Sequence, residues 1–418
     1  MLQDFMSDVT DKLNDGMCSG YIGFDPTADS LHVGHLTQIM TLIHFQRAGH
    51  KPYALVGGAT GMVGDPSFKS AERNLLDDET LAHNLAGIKK QLNQFLTFSE
   101  EGNGAVMVNN ADWFKDFSFL GFIRDVGKHI TVNYMMAKDS VKKRLEGDNG
   151  MSFTEFSYQL IQGYDFYYLW KNYNCTIQMG GSDQWGNILT GTEMIRRIGG
   201  GNGSGYGLTT QLIKKSDGNK FGKTESGAIW LDPEKTSPYK YYQFWLNATD
   251  ADAKMWIKIF TLLTQEEIEQ LEAEHDAAPH LRILQKALAT EITVRTHSEA
   301  ALETALKTSE FLFGNGALSF LETLSHEHVL EIFEGVAQFA VSRDELSAGI
   351  DVATLLAEKT TAFPSKGEVK KTIQGGGLSI NKEKVTEIGT QYTTDNLISE
   401  KYIIVQKGKK NYFLLIVE

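Results

Sequence analysis

Cysteine is nearly absent from this chain of 418 residues, which holds two in all. Cys18 and Cys175 stand alone, with no CxxC pair and no even framework. That excludes a disulfide-stapled scaffold and predicts a reducing, cytoplasmic setting. Long apolar runs are missing as well. No stretch of about 18 apolar residues occurs, so a membrane-spanning helix is excluded. The opening MLQDFMSDVTDKL carries acids and no basic segment ahead of an apolar one, and so does not read as a secretory signal. The 11 histidines show no zinc spacing. Asp77-Asp78 reads as a solvated turn, and no protein-bound metal is expected.

What is present is globular: 22% charged and 11% aromatic residues. At roughly 150 residues per domain the length predicts two or three domains. The formal net charge of -13 argues against a wholesale nucleic-acid coat. Its distribution is uneven. From Val352 to Glu418 ten lysines face seven acids, a balance of +3 that leaves -16 on the rest. A basic module on an acidic body points to a polyanionic partner near the C-terminus.

Strand patterns at Tyr21–Phe24 and Pro52–Val56 flank a helix that starts near His32–His35, with Leu36, Ile39, Met40 and Ile43 at helical steps. This is a βαβ unit, hence a parallel sheet, whose ligands gather at the carboxyl ends of the strands. Thr176–Met179 reads as a further strand, and the glycine-rich Gly199–Gly207 as a flexible surface loop. From about Pro238 the pattern turns helical. Capping boxes are expected at Thr264/Glu267 and Ser365/Glu368, and strands at Leu378–Ile380 and Tyr412–Val417. The predicted fold is α/β: a Rossmann-like parallel-sheet catalytic domain over 1–237, an all-α domain over 238–320, a connector over 321–351 and a small α+β domain over 352–418.

Two short motifs carry chemistry. In His32-Val33-Gly34-His35 the histidines share a helix face at an N-terminus, where free N–H groups and the helix dipole favour anions. Gly34 leaves room for a flat group near the backbone. Alone, such a pair is more often structural, or a weak metal site, than a phosphate ligand. Lys220-Phe221-Gly222-Lys223-Thr224 can fold over a triphosphate or stay a solvated basic loop. It ends like a P-loop, but the earlier glycine, Gly218, lies four positions back instead of five.

These motifs, in this order, resemble the two signatures of class I aminoacyl-tRNA synthetases. YIGFDPTADSLHVGHL (21–36), ALVGGATGMVGDPS (54–67), VGKHITVNYMMAKDSV (126–141), SFTEFSYQLIQGYDF (152–166), IQMGGSDQWGN (177–187), DGNKFGKTESGAIWLD (217–232) and the basic tail are similar to the bacterial tyrosyl branch over nearly the whole chain. The resemblance implies formation of tyrosyl-adenylate from L-tyrosine and ATP, with Mg2+ accompanying the ATP, then transfer to tRNA(Tyr). It implies that Thr27 and His32 bind the leaving phosphates and that Lys69, Arg73, Lys220, Lys223 and Thr224 clamp the triphosphate. His35, Gly34, Asp25 and Asp183 belong to the nucleotide, with Asp183 and Gln184 near the ribose and reacting carboxylate. Asp65, Tyr158 and Gln162 would hold the ammonium of tyrosine, and Tyr21 and Asp165 its phenol. Lys366, Lys370 and Lys371 would contact RNA phosphates. A homodimer joined near Phe117–Met136 is also implied, with no membrane. Three departures stand out. Ile22 replaces a small polar residue and Gly367 an arginine, and Tyr21 comes early enough to shorten an N-terminal helix.

Overall fold

The computed structural model describes every residue except 68–75, 148–149, 202, 219–220, 225–226, 314–317, 334–335 and 409–410; for Lys223 and Thr224 it describes the backbone. Two compact units emerge. One holds Met1–Thr236 and Tyr241–Ser298, the other Ser237–Lys240 and Glu299–Glu418.

A six-stranded sheet organises the first unit. Its strands are β1 (Leu2–Phe5), β2 (Ser19–Phe24), β3 (Lys51–Val56), β4 (Val106–Asn109), β5 (Cys175–Gly181) and β6 (Tyr206–Thr210). They lie in the order β1-β6-β5-β2-β3-β4. β2 pairs in parallel with both β3 and β5, and β1 alone runs antiparallel, against β6. The chain winds outward in opposite directions from the β2/β5 junction, which opens a crevice at the carboxyl ends of these two strands. β2 and β3 are buried almost end to end, as a sheet covered on both faces requires.

The helices that matter to the site are α1 (Val9–Asn14), α2 (Leu36–Arg47), α3 (Asp78–Phe95), α4 (Val132–Met136), α5 (Phe153–Tyr173) and α6 (Trp185–Ile198). α1 is only six residues long. α2 ends at Arg47, and Gly49 takes a φ of 90° just beyond, where a side chain would be strained. α5 and α6 pack through facing glycines. A Cβ on Gly191 would lie 2.8 Å from Phe166 Cβ, and one on Gly163 would lie 3.0 Å from Thr190 Cγ2. The Gly199–Gly207 stretch also serves packing. Gly205 and Gly207 are buried, and a Cβ on Gly207 would meet Ile188 Cγ2 at 2.5 Å. The helices Asp250–Phe260, Gln265–Ala277 and Ile283–Thr296 complete this unit, and both halves of the Thr264/Glu267 capping box are made.

The second unit holds a five-stranded sheet in the spatial order Glu383–Lys384, Leu378–Ile380, Tyr402–Lys407, Asn411–Val417, Ala337–Val341. The last pair is parallel and the others antiparallel. Val369 of the helix Lys366–Gln374 is buried with Ile403, Val405 and Leu415 of the sheet. The Ser365 hydroxyl accepts the Glu368 N–H at 3.2 Å.

The α5/α6 crossing predicts a cost for any added methyl group. Gly191→Ala should destabilise the protein by about 1–3 kcal/mol through overpacking, read as a lower midpoint in urea unfolding. An unchanged midpoint would mean that the crossing relaxes freely.

Candidate active site

The crevice at the β2/β5 junction is a cleft of about 260 Å³. Of the residues predicted from sequence, Tyr21, Asp25, Thr27, Gly34, His35, Asp65, Tyr158, Gln162, Asp165, Asp183 and Gln184 line it. Lys69, Arg73 and Lys220 lie outside the described residues, as do the side chains of Lys223 and Thr224.

The two motifs meet through backbone. The Val33 N–H donates to Ile229 O at 2.9 Å and the Leu231 N–H to Leu31 O at 2.8 Å. This short antiparallel ladder includes a His32/Trp230 bridge. The Ile229 N–H then donates to Gly222 O at 3.2 Å. Gly222 has a φ of 75°, and a Cβ there would come within 2.6 Å of Val33 Cγ2. Phe221 is anchored next to it, its ring stacked on Phe260 at 5.2 Å and edge-on to Trp256 at 5.0 Å. The lysine loop is therefore rooted on the histidine motif itself.

The histidines cap their own helical turn. His32 Nδ1 accepts the Gly34 N–H at 3.0 Å, and His35 Nδ1 accepts the His32 N–H at 3.1 Å. Each neutral ring must then carry its proton on Nε2, as a donor suited to phosphate oxygen. Gly34 is required for a different reason than expected. A Cβ there would sit 2.7 Å from the His32 ring, so the space it leaves is filled by His32.

The other polar groups of the cleft form two hydrogen-bonded sets, one around Asp25 and one around Asp65. Asp25 accepts from Thr60 Oγ1 at 2.7 Å and from the Tyr158 hydroxyl at 2.9 Å. Tyr158 thus keeps its oxygen lone pairs for another donor. Asp65 accepts the Ser67 N–H at 3.0 Å and Gln184 Nε2 at 2.9 Å. Asn187 Nδ2 donates to Gln162 Oε1 at 2.9 Å. Burial, reinforced by the charge of Asp65, raises the Asp183 carboxyl above its ordinary range. Burial and the nearby Asp25 and Asp65 push the Tyr158 phenol well up.

Asp165 is 2% exposed. Its oxygens accept from Trp113 Nε1 at 2.9 Å and Asn110 Nδ2 at 3.1 Å. Burial pushes its carboxyl up to about 8 although both donors pull it down. Tyr21, 1% exposed, has a buried hydroxyl with no hydrogen-bond partner among the described residues. Burying a phenol hydroxyl unpaired beside a carboxyl is unfavourable, so this pair suits a polar guest. Sequence reasoning missed Asn110, Trp113, Thr60 and Asn187. The Asn109-Asn110-Ala111-Asp112-Trp113 run, directly after a strand, was the available signal. Ile22 lines the cleft as an apolar wall.

Fold and cleft together are those of a class I aminoacyl-tRNA synthetase. Residues 14–314 match the family of tRNA synthetases class I (W and Y), and residues 328–415 match the tyrosine–tRNA ligase SYY-like C-terminal domain. A tyrosine–tRNA ligase of Parabacteroides distasonis is 61% identical, covering 100% of this chain and 97% of its own length. One from Porphyromonas gingivalis W83 is 59% identical over the same shares. The crystal structure of a C-terminally truncated mitochondrial tyrosyl-tRNA synthetase from Aspergillus nidulans superposes with a TM-score of 0.67 at 30% identity, covering 75% of this chain and 91% of that one. The chain belongs to the tyrosine–tRNA ligase family.

The buried acid has a stability signature. Between the ordinary 3.8 and about 8 the folded chain holds a proton that the unfolded chain releases. Stability from this group therefore declines as pH rises through that window. In the ligand-free protein, Asp165→Asn should shrink the fall in Tm between about pH 5 and about pH 8. An undiminished fall would mean that Asp165 is ionised throughout.

Proposed function

We propose that this chain activates L-tyrosine with ATP and passes the tyrosyl group to tRNA(Tyr). The tyrosine carboxylate oxygen attacks the α-phosphorus, forming tyrosyl-adenylate as the bond to pyrophosphate breaks. A ribose hydroxyl at the tRNA 3′ end then attacks the activated carbonyl, and AMP leaves. Neither step requires a strong protein base. The work is positioning and stabilisation of charge on phosphate oxygens.

The observation that carries this reading is the pair Tyr21 and Asp165 in one cleft. A phenol satisfies both, whereas phenylalanine leaves both unpaired. Tyrosyl-tRNA synthetases are themselves the standard example of such a site, rejecting phenylalanine by on the order of 10⁵ without editing. Asp65, Tyr158 and Gln162 supply acceptors for the ammonium. His32, His35 and Thr27 take the phosphate side, joined by Lys69, Arg73, Lys220, Lys223 and Thr224, and Gly34, Asp25, Asp183 and Gln184 take the ribose and carboxylate region. Mg2+ enters with ATP as part of the substrate.

The tail would grip tRNA by phosphate contacts that fix register without reading bases. Lys370 and Lys371 are exposed on the helix Lys366–Gln374, and Lys366 pairs with Glu358 at 3.0 Å. A Cβ on Gly367 would meet only Ser365 Oγ at 3.6 Å, so space for a longer residue is open. We assign one apolar face to a second copy of the chain. Phe119, Leu120 and Phe153 are 66%, 75% and 69% exposed. Phe119 and Phe153 also line a groove of about 270 Å³. Among the described residues no helix is long and apolar enough to cross a membrane. Both thiols are free and buried, which suits a reducing cytoplasm.

The test is pyrophosphate exchange into ATP with each of the twenty amino acids in turn. Exchange with tyrosine alone is the expected outcome. Exchange with another amino acid would overturn the roles of Tyr21 and Asp165, and no exchange would overturn the synthetase reading.

A further inference from the structure

Lys138 lies outside the substrate cleft and is half-buried, an unusual place for an ammonium group. Its Nζ donates to the Gly186 carbonyl at 2.6 Å and to the Tyr134 hydroxyl at 3.1 Å, and lies 4.2 Å from the Tyr134 ring centroid. The Tyr134 hydroxyl in turn donates to the Leu189 carbonyl at 3.1 Å. Lysine and tyrosine thus form a clasp from Tyr134 of α4 and Lys138, which N-caps the helix Asp139–Leu145, to Gly186 and Leu189 on the first turns of α6. The lysine stem runs beside Gly186, where a Cβ would lie 3.5 Å from Lys138 Cδ. Burial pulls the ammonium down to about 8, against the charge of Glu193. Holding it there is costly, and an ordinary surface lysine would turn outward.

The clasped turn belongs to the amino-acid site. Gln184 immediately precedes α6 and donates to Asp65, while Asn187, one residue past Gly186, donates to Gln162. Asn187 also reaches Gln184 Oε1 at 3.3 Å and Ser67 Oγ at 3.4 Å. A shift of this turn by a few tenths of an ångström would misalign both acceptor groups that face the tyrosine ammonium. The Gly186 carbonyl also accepts the Thr190 hydroxyl at 3.1 Å, so the charged donor sits on a node that is already shared.

We propose that Lys138 is a positioning residue of the tyrosine site: by clamping the Gly186 carbonyl it fixes the turn of α6 from which Gln184 and Asn187 hold Asp65 and Gln162. The inference rests on the tyrosine-activating reading above.

The test is steady-state pyrophosphate exchange with the full-length protein as wild type, Lys138→Met, Lys138→Arg and Tyr134→Phe. Methionine keeps the stem volume and removes the donor. Lys138→Met should raise KM for tyrosine about tenfold, the scale of one charge-assisted hydrogen bond, with KM for ATP nearly unchanged and kcat falling less than KM rises. Lys138→Arg should recover part of the loss. Tyr134→Phe, which removes the other arm, should raise the same KM about two- to threefold, and it decides the matter if Lys138→Met does not fold. A lowered Tm with unchanged KM for tyrosine would overturn the proposal in favour of a structural lysine. An increase confined to KM for tRNA in the charging reaction would overturn it in favour of an RNA contact. Wild-type protein that shows no exchange with tyrosine refutes the activation reading itself, a result separate from either of these.

Discussion

Asp165 buries a carboxyl group from water, and much of the first unit is arranged to hold it. Its ionised form is penalised by burial, and two donors meet it without cancelling that penalty. Asn110 is the more connected of the two. It also donates to Thr60 Oγ1 and accepts the Ala59 N–H, which ties the loop after β3 to the loop after β4. Thr60 continues the chain to Asp25, and Asp25 to Tyr158. One network therefore runs along the cleft from Asp165 to Tyr158. Tyr158, Gln162 and Asp165 all stand on α5, which packs on α6 through facing glycines. Under the proposed function, Asp165 would donate to a phenol oxygen when protonated and accept from a phenol hydroxyl when ionised, so either state would recognise tyrosine.

The histidine motif is built by a different device. Two histidines spend Nδ1 on backbone N–H groups and so present Nε2–H at a helix start. The lysine loop is fastened to the same turn by backbone hydrogen bonds from Leu31 to Gly222. Backbone pairing thus brings Gly222 of the second motif beside the first, although nearly 190 positions separate Val33 from Gly222 in sequence. Under the proposed function, donors held in this way would lower the barrier where charge develops on the leaving pyrophosphate.

How much of this was legible in the sequence depends on range. Strands β2, β3 and β5 and helix α2 could be read because their periodicity and punctuation are local. Gly49 and the Thr264/Glu267 box belong to the same class. β1 could not be read, since Leu2–Phe5 becomes a strand only by pairing with β6 some two hundred residues away. Ala337–Val341 lay in a stretch with no clear pattern and is a strand because Asn411–Val417 pairs with it. Gly199–Gly207 looked like a flexible loop from composition alone, but a Cβ on Gly205 would meet Ile195 Cδ1 at 2.5 Å and one on Gly207 would meet Ile188 Cγ2 at 2.5 Å, which shows why these two glycines are needed. In the cleft, residues inside long motifs were found. Asn110, Trp113 and Asn187 were not, because their significance lies in partners 25 to 55 positions away, at Gln162 and Asp165.

The central claim is that a phenol is recognised by Tyr21 and Asp165. The most direct test is the ratio of kcat/KM for tyrosine over phenylalanine in pyrophosphate exchange, compared between wild type and Tyr21→Phe. Loss of one of two phenol partners should lower that ratio by about 10- to 100-fold, with phenylalanine activation little changed. An undiminished ratio in the variant would contradict the account and place the selectivity elsewhere in the cleft.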